Sequence, residues 1–113
     1  MKEGDVILAQ IPQADRQAKI RPAIILRELP FYRDFLVCGL STQLHQQIVD
    51  FDEIISSDDD DFISSGLIAI SVIRLGFLGV VSSNVIAGTL GSISVERHKH
   101  LLQKLSDYLT DSK

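Results

Sequence analysis

The hydrophobic pattern changes period once, near Ser94, and that change constrains the fold more than any other feature. From residue 94 on, His98, Leu101, Leu102, Leu105, Tyr108 and Leu109 recur at the three-to-four-residue spacing of one helix face. Ser94 suits an N-cap, and Glu96 in the first turn suits the helix dipole. Everything before it is built from short apolar, β-rich segments punctuated by glycine, proline and polar loops. "GDVILAQI" (residues 4–11), "RPAIILREL" (21–29), "DFLVCGLSTQL" (34–44) and "QIVDFDEI" (47–54) read as four strands. "SGLIAISVIRLGFLGVVS" reads as one long or two shorter strands, with Gly76 and Gly79 marking a bend or bulge, and "NVIAGTLGSI" as a last short strand. A helical turn is expected near residues 62–65. The expected architecture is mainly β with minor α: a small, strongly curved barrel closed by a C-terminal amphipathic helix.

Residues 1–113 are enough for one domain with one core, and no repeat or linker divides them. The N-terminal residues carry no secretory signal pattern, because Lys2, Glu3 and Asp5 interrupt any apolar region. No apolar run is long enough for a membrane helix. A cytoplasmic protein is expected. Cys38 is alone, so it has no internal disulfide partner, and its apolar context makes it a small core residue rather than a nucleophile. No Cys/His spacing resembles a zinc site, and the aspartate run lacks the alternating ligands and glycine of a calcium loop. Neither a metal nor a cofactor is expected.

The formal net charge of −4 argues mildly against a nucleic-acid partner, but the distribution matters more. Residues 50–61, "DFDEIISSDDDD", hold seven of the fifteen acidic residues and no basic one. The remainder is net basic. Arg16, Lys19, Arg21, Arg27 and Arg33 fall within residues 16–33 against a single acid, Glu28. The four consecutive aspartates, Asp58 to Asp61, are expected in solvent.

Two places could carry chemistry. Lys19 and Arg21 share a face of an extended backbone, and Pro22 biases Arg21 toward extended geometry. A guanidinium so restrained can offer its planar fork to a phosphate; equally, it can be an edge-strand arginine in a salt bridge. In "STQLHQ", a continuing strand would put Ser41, Gln43 and His45 on one face and Leu40, Thr42 and Leu44 on the other. That is a plausible site wall, and also the ordinary alternation of a half-exposed antiparallel strand.

The succession "GDVILAQI", "IRPAIIL", "GLSTQL" and "GLIAISVIRL" closely resembles the MazF/PemK-type toxins of bacterial toxin–antitoxin systems, over nearly the whole chain. The resemblance implies a homodimeric SH3-like barrel that cleaves single-stranded RNA without a metal and is neutralised by an antitoxin. It implies transesterification, in which the ribose 2′-hydroxyl attacks the adjacent phosphorus. The family's arginine before the strand-opening proline maps to Arg21. Its hydroxyl at the end of the third strand maps to Ser41, with Thr42 the alternative. Lys19, Thr42, Gln43, His45 and Arg16 are then expected to bind substrate, and His45 has the pKa range for proton transfer. Two departures stand out. The loop before Arg-Pro, "QADRQAKI", lacks the family's glycine, and Ser71 stands where many relatives carry an acid. Arg74 matches the family and is expected to be structural or interfacial. The same barrel also serves CcdB-type toxins, which bind DNA gyrase without cutting RNA, and an inactive member that binds RNA or a partner is a further alternative. The pairing of Arg21 with Ser41 matches the nuclease branch.

Overall fold

A computed structural model describes residues 1–12 and 18–111. Six strands form one antiparallel sheet: β1 (Asp5–Pro12), β2 (Ala18–Glu28), β3 (Asp34–Ser41), β4 (Glu53–Ile55), β5 (Ser71–Ser82) and β6 (Ile86–Ser92), in the spatial order β4-β5-β3-β2-β1-β6. The sheet curls into a half-barrel, as the sequence pattern predicts. A one-turn helix, α1 (Phe62–Ser65), precedes β5, and α2 (Val95–Thr110) ends the fold. Ser94 is the N-cap of α2: its Oγ accepts the Arg97 N–H at 3.0 Å. No helix among the described residues is long and apolar enough to cross a membrane.

The central strands bury both faces, which is why "AIIL" and "LVCGL" read as apolar runs rather than as alternation. On one face Val6, Ile24, Leu26, Cys38, Leu40, Ile73 and Leu75 meet Leu101 and Leu105 of α2. On the other, Ile7, Ala9, Ala23, Ile25, Phe35, Val37 and Val81 form a second cluster. Cys38 is a core residue as expected, and burial pushes its thiol up to about 12.

The bend in β5 falls where the glycines put it. β3 pairs Cys38 with Leu78 but Gly39 with Arg74, so residues 75–77 are the extra residues of a bulge on β5. The bulge lays the Phe77 ring over Gly39, in the space that any side chain at position 39 would occupy. Arg74 lies over the same ring, its guanidinium carbon 5.1 Å from the centroid.

Three sequence expectations need correction. The strand expected over residues 47–54 shrinks to Glu53–Ile55. The segment before it is a turn held by Asp52, whose carboxylate accepts the N–H groups of Ile48 and of Leu75 in β5, each at 2.9 Å. Asp50 in that turn has φ +68°, which no strand allows. Second, the aspartate run is not wholly solvated. Asp61 is only 4% exposed. It accepts from Arg97 Nε at 2.8 Å and from the Ser94 N–H at 3.0 Å, tying the acidic loop to the start of α2. Arg97 also meets Glu53 at 2.9 Å and Asp59 at 3.2 Å. Burial alone would raise the Asp61 carboxyl, but the Arg97 and Ser94 hydrogen bonds outweigh it and hold it below its ordinary value. Third, β3 stops at Ser41 instead of reaching Leu44, with consequences for the site.

Candidate functional site

β2 begins three residues before its arginine, at Ala18, so Pro22 is not at the strand's start. Up to Pro22 the strand pairs with β1 alone, through Leu8↔Pro22 and Ala9↔Arg21. Its ladder to β3 begins only at Ala23↔Gly39. The proline therefore stands where β2 passes from edge strand to interior strand, a setting that tolerates a missing N–H. Arg21 is held extended at that open edge.

β3 ends because Ser41 turns the chain. Its Oγ accepts the Gln43 N–H at 3.0 Å, and a 3-10 turn over Leu44–Gln46 follows. That hydrogen bond uses a lone pair and leaves the hydroxyl proton free to be donated. It also breaks the expected strand face. Gln43 stays beside Ser41 at the cleft, but His45 is exposed on the 3-10 turn, outside the cleft.

The ends of β2 and β3 border a cleft of about 380 Å³. Leu8, Pro22 and Leu40 form an apolar floor; Arg21, Ser41, Thr42 and Gln43 line one side; residues 66–69 and Leu90 of β6 line another. The second side is fixed by close backbone packing. Gly66 caps α1 with φ +76°, its N–H bonded to the Ile63 carbonyl at 3.1 Å, and it lies so near the Leu90 carbonyl that no Cβ would fit. Gly91 meets the Ser64 carbonyl just as closely. Ser64 Oγ donates to the Ser92 carbonyl at 3.0 Å. Ser71 is buried and donates its hydroxyl to the Ala69 carbonyl at 2.9 Å.

Of the residues expected to act, the cleft brings together Arg21, Ser41, Thr42 and Gln43. Lys19 is exposed on the Arg21 side of β2 but does not line it, and Arg16 lies outside the described residues. The state of Arg21 distinguishes the two readings of the Arg-Pro step. Arg27 pairs with Glu3 at 3.2 Å, Arg33 with Glu28 at 3.8 Å, and Arg97 with three acids. Arg21 is exposed and makes no ion pair among the described residues. It is the only charged residue among the described ones lining the cleft. An unpaired guanidinium beside three polar side chains and an apolar floor can bind an anion whose remaining parts are apolar. Among the described residues, no three His, Cys, Asp or Glu side chains converge as a metal site would require.

Sequence reasoning misses residues 66–69 and Leu90 as cleft walls, because an apolar run gives no sign of which side chains stay uncovered. The glycines at 66 and 91 are the only local signal.

No curated protein matches the sequence. The family described as PemK-like, MazF-like toxin of type II toxin-antitoxin system matches residues 2–109, nearly the whole chain. The chain belongs to that family of toxins.

Proposed function

We propose that this toxin is a sequence-selective endoribonuclease that cleaves single-stranded RNA at the Arg21 cleft without requiring a metal. Membership of a type II family implies an antitoxin partner. We further propose that the toxin acts in the cytoplasm as a homodimer. The observation that carries the reading is that Arg21, which makes no ion pair among the described residues, lines one cleft with Ser41.

The chemistry follows from these groups. The ribose 2′-hydroxyl attacks the adjacent phosphorus, the bond to the 5′ oxygen breaks, and a 2′,3′-cyclic phosphate and a 5′-hydroxyl end remain. Charge grows on the non-bridging oxygens during attack. Arg21 donates charge-assisted hydrogen bonds to them, and its restrained strand position means little reorganisation accompanies the reaction. Ser41 donates its proton to a phosphate oxygen while its lone pair holds the Gln43 N–H. No imidazole or carboxylate stands among the described cleft residues. In this reading the proton from the 2′-hydroxyl passes to water or to a non-bridging oxygen, and the 5′ oxygen is protonated from the same sources. The need for a 2′-hydroxyl selects RNA over DNA, and the small cleft selects unpaired strands.

The test is incubation of the purified toxin, free of antitoxin, with mixed single-stranded RNA in excess EDTA. Discrete fragments whose 5′ ends accept a kinase label directly support the reading. Intact RNA, with trapped gyrase–DNA complexes in a parallel assay, contradicts it in favour of a CcdB-like mode.

A further inference from the structure

We propose that residues 66–69 are the base-binding wall of the cleft: an unstacked nucleobase of the RNA whose phosphate lies at Arg21 packs its face on Ile68, and the Gln43 carboxamide reads its edge. This rests on the nuclease reading above and extends it to the specificity of the site.

The stretch "GLIAI" carries no polar side chain, yet it lies at the surface. Ile68 is 98% exposed and Ile70 44%, and Leu90, 40% exposed, lines the same cleft as Ile68. Apolar side chains left uncovered at a cleft mark a binding site. The fold does not account for it by default, because the backbone is deliberately held. Leu67 donates its N–H to Ser65 Oγ at 3.2 Å, Ser71 holds the Ala69 carbonyl, and Gly66 is wedged against β6. A backbone tied at both ends thus presents aliphatic side chains to solvent at a cleft rim.

What those side chains face decides the occupant. Across the cleft stand an unpaired cation, Arg21, and an exposed Gln43 whose carboxamide makes no hydrogen bond among the described residues. A nucleotide has the matching three parts: an anionic phosphate, an apolar base face and a polar base edge. Flipped or unpaired bases are commonly held by apolar packing on the face and hydrogen bonds at the edge. A carboxamide offers one acceptor and two donors, which suits reading an edge. A volume of about 380 Å³ suits one base with its sugar and phosphate, and is cramped for a peptide helix about 10–12 Å across.

The experiment measures kcat/KM for the wild type, Ile68→Ala and Gln43→Glu on single-stranded RNA oligomers that differ only in the bases flanking the cut. Melting temperature and oligomeric state are recorded for each protein. The expected result is a loss of about tenfold in kcat/KM for Ile68→Ala, carried by KM, with folding and oligomeric state unchanged. Gln43→Glu removes the donors and is expected to reorder the preferred base at one position. Unchanged kcat/KM and base preference in both variants overturn the proposal. So does an Ile68→Ala effect that tracks dissociation into monomers, which makes the wall an interface between copies. If the wild type cleaves nothing, the nuclease reading fails separately. Fluorescence anisotropy with 2′-O-methyl single-stranded RNA then decides: binding weakened by Ile68→Ala keeps the base wall, and no binding removes it.

Discussion

Arg21 and Ser41 occupy matching positions on β2 and β3. Each lies two residues beyond the last ladder pair, Ala23↔Gly39, and both line one cleft. By strand alternation both share the face of Ile25 and Val37, opposite that of Leu40, so the cleft lies across the end of the ladder and takes residues from both faces. The apolar face therefore ends in a cation and a hydroxyl at the point where the two strands stop pairing. The same residues that end the ladder supply the proposed chemistry.

Removing the Ser41 hydroxyl takes away its proposed bond to the phosphate together with its hold on the Gln43 N–H. Ser41→Ala is expected to lower kcat by about 10- to 100-fold, the worth of one hydrogen bond to a charged group. Ser41→Thr is expected to retain most activity. Single-turnover cleavage of a defined oligomer measures both, and equal rates for Ser41→Ala and wild type contradict the assignment.

His45 was a candidate for proton transfer on the strength of a strand that does not continue. Exposed on the 3-10 turn, it is expected to be dispensable, with His45→Ala within twofold of wild type. The pH–rate profile is expected to rise with pH without the inflection of an imidazole near 6.5. A bell-shaped profile abolished by His45→Ala restores the histidine to the mechanism.

Asp61 makes stability depend on pH in a defined direction. Its folded-state pKa lies below the ordinary value of an aspartate, so the carboxylate stabilises the fold above the ordinary carboxylate range. That contribution is lost as pH falls through the lowered pKa. Asp61→Asn removes one of the three carboxylates around Arg97, leaving Glu53 and Asp59, and is expected to cost about 2 kcal/mol at neutral pH. Urea unfolding at pH 7 and at pH 3 tests this: the gap between variant and wild type narrows in acid.

Gly91 packs its backbone against the Ser64 carbonyl, so Gly91→Ala forces α1 away from β6. The expected cost is about 2 kcal/mol in thermal or urea unfolding. Gly79, where a Cβ meets nothing, is the internal control, and Gly79→Ala is expected to be nearly neutral.

The strands and the terminal helix were legible because burial on both faces writes continuous apolar runs, and because the period shifts cleanly at Ser94. Arg21 was legible through the proline beside it. What escaped were the features made by contacts distant in sequence. Asp52 read as part of a strand and Asp61 as a solvated acid; their partners, the Leu75 N–H and the Arg97 side chain, lie 23 and 36 residues away. The end of β3 escaped because one local hydrogen bond, from the Gln43 N–H to Ser41 Oγ, overrides an alternation that runs on to His45. The apolar cleft wall escaped because sequence cannot separate a buried isoleucine from one left uncovered.

The most direct test of the central claim is the cleavage rate of Arg21→Ala relative to wild type on single-stranded RNA in EDTA, with melting temperature as the check on folding. Arg21 is exposed and unpaired, so its loss is expected to leave stability unchanged and to reduce cleavage by about 100- to 1,000-fold, with Arg21→Lys recovering only part of it. A well-folded Arg21→Ala protein that cuts RNA at the wild-type rate contradicts the account.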